Sequence, residues 1–157
     1  FRPEPLDRPT LAAIVEAGRY APSALNRQQC RFYVITDPQL LQRISDTVSR
    51  RLKGFEGKDC RYGAPALVLV TNQKSNICAL QDAACAMENM FLAAHSMGIG
   101  SVWINQLQGI CDEPSVRQVL TSLGIPENHV VYGLAALGYA DDVKAEKERI
   151  GKVVIVE

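Results

Sequence analysis

The stretch Val130–Tyr139, VVYGLAALGY, is apolar at nearly every position. A strand with one wet face alternates apolar and polar residues, whereas a strand without alternation needs cover on both faces. This segment is therefore expected to be a central strand with helices packed on either side of its sheet. At 157 residues the chain is long enough to bury such a core, and residues 1–157 are expected to form a single domain.

Elsewhere helices and strands alternate. Thr10 as N-cap and Pro22 as stop bracket an amphipathic helix from Leu11 to Tyr20. Arg31–Thr36 is a short strand rich in aromatic and β-branched residues. Asp37 as N-cap and Pro38 at the first position open a helix that runs to Arg51. A Gly-containing loop leads to the apolar strand PALVLVTN, and after Gly98 and Gly100 comes the strand SVWI. Ser115–Gly124 reads as a further helix.

Ile77–Met97 is the most informative helix. Ile77, Leu80, Ala84, Met87, Phe91 and Ala94 recur at spacings of three and four and make one apolar face, which Cys78, Cys85 and Leu92 extend. Gln81, Asp82, Glu88, Asn89, His95 and Ser96 form one narrow polar ridge. So little polar surface implies cover on most sides, either inside a monomer or between two subunits. The terminal VVIVE follows a charged connector, ADDVKAEKER, and is expected to be a strand. An exposed apolar strand invites pairing, within its own sheet or with a second copy.

Lys plus Arg equals Asp plus Glu, 17 each, so no charge imbalance points to nucleic acid or an anionic membrane. The N-terminal FRPEPLDRP has no signal-peptide core, and the longest apolar run, Ala64–Val70, is too short to span a bilayer. The five cysteines are odd in number and form no C-x-x-C pair, which argues against a zinc or disulfide framework and for a cytoplasmic setting. His95 and His129 have no visible Ser or Cys partner, and there is neither a Walker loop nor a G-x-G-x-x-G.

One stretch remains unexplained by packing. PSALNRQQCRF places Ser23, Asn26, Arg27, Gln28 and Gln29 between a helix and a strand, where a two-residue turn would suffice. It resembles the P-S-[small]-x-N-x-Q-P-W-x-F signature of the FMN-dependent nitroreductase family. YGAPALVLV, DAACAMENMFLAAHSMGIGSVWINQL, GIPENHVVYGLAALGYA and a late K-x-R at Lys147 and Arg149 follow in the family's order.

The resemblance implies an α+β fold of α/β/α layers, with a central mixed, mostly antiparallel sheet flanked by helices. It implies a C-terminal strand exchanged in a homodimer, with the flavin pocket at the interface. The cofactor would be FMN, reduced by NADH or NADPH and reoxidised by a small acceptor such as a nitroaromatic or quinone. By carry-over Ser23, Asn26 and Gln28 would contact FMN, and Ile104, Asn105 and Gln106 would pass its reactive face near N5. Lys147 and Arg149 would hold its phosphate. No side chain is assigned as catalytic acid or base, and no metal is expected. Phe55 and Tyr62 are candidates for a lid over the acceptor.

Each assignment has a plainer alternative: Ser23 and Asn26 as turn caps, Trp103 as core, KAEKER as a solvated charge run, and Phe55 and Tyr62 as packing. A non-catalytic FMN-storage or sensing protein is the alternative function. The chain departs from the family at Gln29 and Cys30, which replace Pro-Trp. Phe1 matches the last residue of the family's opening R-x-S-x-[RK]-x-F, so either the basic residues of that motif are expected upstream or this form is expected to bind FMN poorly.

Overall fold

The computed structural model describes residues 1–142 and 147–157. Its order is α1 (Arg8–Arg19), β1 (Arg31–Ile35), α2 (Pro38–Arg51), β2 (Ala66–Gln73), α3 (Ala79–Ser96), β3 (Gly100–Ile104), α4 (Pro114–Ser122) and β4 (His129–Gly138). The four strands form one sheet in the order β1-β2-β4-β3, and every described pair is antiparallel. The fold is thus α+β, and the expected mixed sheet is wholly antiparallel among the described strands.

The apolar run Val130–Tyr139 meets its expectation. β4 lies between β2 and β3, and β2 and β4 are the two central strands. Their alternate residues feed two separate cores. Leu67, Leu69, Leu134 and Ala136 join α2 and α4 on one face, while Val68, Val70, Ala135 and Leu137 join α1 and α3 on the other. A period of two along each strand divides them in this way.

Local chemistry fixes the helix starts. Asp37 accepts from the N–H groups of Gln39 and Leu40 at 2.8 and 2.9 Å, as expected for an N-cap. For α1 the cap is Asp7, not Thr10. Asp7 Oδ1 accepts the Thr10 N–H at 2.7 Å, so the helix starts earlier, with Pro9 in its first turn.

The long helix is shorter and differently turned than its pattern suggests. It begins at Ala79, leaving Ile77 outside and 92% exposed. Its buried face carries Ala79, Ala83, Ala86, Met87, Met90 and Ala94, together with Asp82 from the supposed polar ridge. Leu80 and Leu92 point outward. The compact face of alanines lets α3 approach the sheet and α1 closely. Gly18 of α1 tightens that contact, since a Cβ there would meet Met90 Cγ at 2.8 Å.

Of the two pairings open to VVIVE, the chain's own sheet is not used. Val153–Glu157 make no ladder with the chain's own sheet, and Ile150, Val153, Val154, Ile155 and Val156 are all exposed. Among the described residues no helix is long and apolar enough to cross a membrane.

Candidate functional site

The polar knot is built from strained backbone. Ser23 is extended, Ala24–Asn26 form a single 3-10 turn, and Leu25, Asn26 and Gln28 all have φ between 52° and 54°. Non-glycine residues rarely occupy this left-handed region, and three within four positions need outside support. The knot supplies part of it. Ser23 Oγ accepts the Gln28 N–H at 2.9 Å, and Gln28 Nε2 donates to Asn26 Oδ1 at 2.9 Å. Ser23 Oγ thus braces the turn, while Asn26 and Gln28 are exposed at its tip.

The rest comes from α3. Asp82, only 4% exposed, accepts the Ala24 N–H through Oδ1 at 2.8 Å and Asn76 Nδ2 through Oδ2 at 2.9 Å. A cleft of about 150 Å³ opens beside this contact, lined by Gly18, Ser23, Gln28, Cys30, Phe32 and Asp82 among others. Asp82 was not legible as a site residue, because helical periodicity put it on a solvated ridge. The usable signal is a carboxylate in the first turn of the most apolar helix, six residues after an asparagine.

Ile104–Gln106 lie at the other edge of the sheet. Ile104 ends β3 opposite Leu134 and is buried; Asn105 is exposed and Gln106 half-buried. β1 and β3 are separated by β2 and β4, three strand spacings or roughly 14 Å. None of Ile104, Asn105 or Gln106 lines the cleft beside the knot. Gln106 Oε1 is buried without a hydrogen-bond partner, and so is Gln29 Oε1 in the knot. Buried acceptors of this kind call for a donor. Trp103 is 37% exposed, so it is not a core residue; its ring lies over Gly133, where a Cβ would come within 3.1 Å of the indole.

Lys147 and Arg149 are both exposed on the tail. The structure thus groups Ser23, Asn26 and Gln28 at one edge and Ile104, Asn105 and Gln106 at the other. Phe55 packs partly against the α2–α4 core, whereas Tyr62 is 57% exposed.

Three of the cysteines are buried or half-buried with raised thiol pKa values. Burial and the nearby Asp82 carboxylate push the Cys30 thiol up to about 11, while Asn72 Nδ2 lies 3.5 Å from its sulfur. Burial also raises Cys60 and Cys111. All five cysteines are free, and the described residues contain no metal-binding cluster. His129 Nδ1 lies 3.0 Å from Thr71 Oγ1, a spacing that could serve a nucleophile and base. Both residues are fully enclosed, however, and no substrate reaches them.

The residues fit FMN chemically. The flavin edge and ribityl chain offer N–H and O–H donors and carbonyl acceptors, the counterparts of two orphaned amide oxygens and an exposed polar turn.

Residues 1–139 match the family model described as the nitroreductase family. An Archaeoglobus fulgidus protein with the provisional name NADH dehydrogenase/NAD(P)H nitroreductase is 33% identical over 135 residues, 83% of this chain and 72% of that protein. The structure superposes on a nitroreductase with bound FMN from Bacteroides fragilis at a TM-score of 0.92 and 40% identity, covering 100% of this chain and 91% of that one. An FMN-bound nitroreductase from Desulfitobacterium hafniense gives 0.85 and 27%, over 100% and 91% of the two chains. The chain belongs to the nitroreductase family and has the fold of its FMN-binding members.

Proposed function

We propose that this protein is an FMN-dependent oxidoreductase that takes electrons from NADH or NADPH and passes them to a small acceptor such as a nitroaromatic or quinone. The observation that carries the reading is the strained knot at Ser23–Gln28, which has no role in closing the fold that a short turn would not fill. When bound, FMN supplies two-electron redox chemistry at its ring.

The chain's own part is binding and orientation. Asn26 and Gln28 present amide donors and acceptors at the knot, with Ser23 holding the turn beneath them. Ile104, Asn105 and Gln106 offer main-chain groups at the opposite edge. Lys147 and Arg149 supply the positive charge that a phosphate dianion requires, the arginine as a two-pronged donor. No acid or base is assigned, because the chain's task is to place the ring and favour the charge it gains on reduction.

The protein works as a homodimer in this reading. The knot of one copy and the β3 edge of the other form a shared pocket, which accounts for their separation across the sheet of a single chain. The exposed Leu80 and Leu92 on α3, with the apolar tail Ile150–Val156, provide the surface to be covered.

The test is the visible spectrum of purified protein after excess FMN has been added and removed, followed by NAD(P)H oxidation with an added quinone or nitroaromatic. A retained, shifted flavin band with turnover supports the proposal. A retained band with only background turnover supports a flavin-storage role instead, and no band at all defeats both.

A further inference from the structure

The knot's strain raises the question of what keeps it folded. Its own hydrogen bonds are short-range: Asn26 N–H to Ser23 O at 2.9 Å, Arg27 N–H to Ala24 O at 3.2 Å, and the two bonds of Gln28. Such bonds close a turn without choosing where it sits. The tie from the turn's centre to the body of the protein is the Ala24 N–H bond to Asp82 Oδ1.

We propose that Asp82 is a positioning residue, a buried carboxylate that holds the Ser23–Gln28 turn in the shape that binds flavin; this rests on the FMN reading above. Three features suit it to that role. A carboxylate accepts at both oxygens, so it satisfies Ala24 N–H and Asn76 Nδ2 together. Asn76 cannot turn its amide round, because its Oδ1 accepts the Cys78 N–H at 3.0 Å, which leaves the NH₂ facing Asp82. Asp82 also stands in the first turn of α3, where the helix N-terminus favours a negative charge. A buried carboxylate is tolerated where its oxygens have such partners and is costly where they do not.

The geometry dictates the response to substitution. In Asp82→Ala both donors lose their acceptor and the turn is released. In Asp82→Asn one oxygen can still accept from Ala24, but the new NH₂ faces the NH₂ of Asn76. The exchange Asp82→Asn with Asn76→Asp restores the match, since the carboxylate at 76 can accept both from Cys78 N–H and from the new amide. A side chain that merely filled space would not be rescued by swapping the polarity of its neighbour.

The experiment measures FMN affinity by quenching of flavin fluorescence, alongside the rate of trypsin cleavage after Arg27, an exposed residue of the turn. Ile44→Val, in the opposite core, serves as a stability control. Asp82→Ala should weaken FMN binding about tenfold or more and speed cleavage at Arg27 by a similar factor, the scale of losing a charge-assisted hydrogen bond. Asp82→Asn should fall between, and the double exchange should return both readings to within about threefold of wild type. Ile44→Val should move neither. Wild-type affinity and cleavage in a folded Asp82→Ala protein would overturn the inference, as would a double exchange no better than Asp82→Asn. If wild type takes up no FMN, the flavin reading fails and the positioning role for flavin falls with it; the cleavage rates then still report whether Asp82 anchors the turn.

Discussion

Helices α2 and α3 lie on opposite faces of one sheet and finish their surfaces in different ways. α2 buries Leu41, Ile44, Ser45, Thr47 and Val48 and turns Gln39, Gln42, Arg43, Arg50 and Arg51 to water. Its outer face needs nothing more. α3 buries Ala83, Ala86, Met87, Met90 and Ala94, yet leaves Leu80 and Leu92 outside, with Ile77 and Met97 beyond its ends. Water satisfies a charged face; apolar side chains gain by leaving it. The same chain thus has one outer side that is charged and one that leaves large apolar side chains in water. The knot and its cleft lie on the α1–α3 side.

The largest predicted effect is on α2. Ile44→Ala removes a fully buried side chain and should cost about 2–5 kcal/mol in urea denaturation, with no effect on association. Leu92→Asp on α3 should do the reverse. Leu92 is 60% exposed, so no core packing within the chain is lost and any fall in stability should be confined to the lost association, while sedimentation shows the dimer dissociating. Equal loss of stability in both variants would erase the contrast.

Gly18→Ala sharpens it from the buried side of α3. Its Cβ would press on Met90 Cγ, at 2.8 Å, and on the Ala86 carbonyl, at 3.3 Å, so the melting experiment should read a loss of about 1–3 kcal/mol.

How far these features could be read in advance follows from their physics. β4 was legible as a central strand because continuous apolarity leaves few alternatives, and α2 because Asp37 and Pro38 mark its start chemically. α3 was readable as a helix but not in its facing. Alanine and leucine are both apolar to a periodicity argument, yet only the small residues fit against α1 and the sheet. Asp82 was hidden for a related reason: a buried carboxylate is recognised by its partners, and Ala24 lies 58 positions away. The family resemblance marked Ser23, Asn26 and Gln28, but neither the left-handed backbone nor the distance to Ile104 and Gln106 is written in spacing. The tail's lack of a ladder within its own sheet is equally a property of tertiary structure.

Two smaller effects probe regions away from that contrast. Burial, with Arg31 and Arg117 nearby, holds the His129 imidazole below its ordinary range. The unfolded chain therefore takes up a proton that the folded one refuses, so this contribution is full above about pH 6.5 and declines as pH falls below it. Melting temperatures between pH 7.5 and 5.5 should drop in wild type and drop less in His129→Gln. Smallest of all, Leu25→Gly should stabilise the chain by about 0.5 kcal/mol, since an exposed left-handed leucine gives up strain at little loss of packing. A destabilised Leu25→Gly would mean that the knot is not strained.

The most direct test of a flavin site shared between two copies compares wild type with Leu92→Asp. Each is equilibrated with FMN, freed of excess and sedimented while absorbance is followed in the flavin band. The account predicts that wild type runs as a dimer with stoichiometric FMN and that the variant runs as a folded, colourless monomer. A monomeric variant that keeps stoichiometric FMN would contradict it.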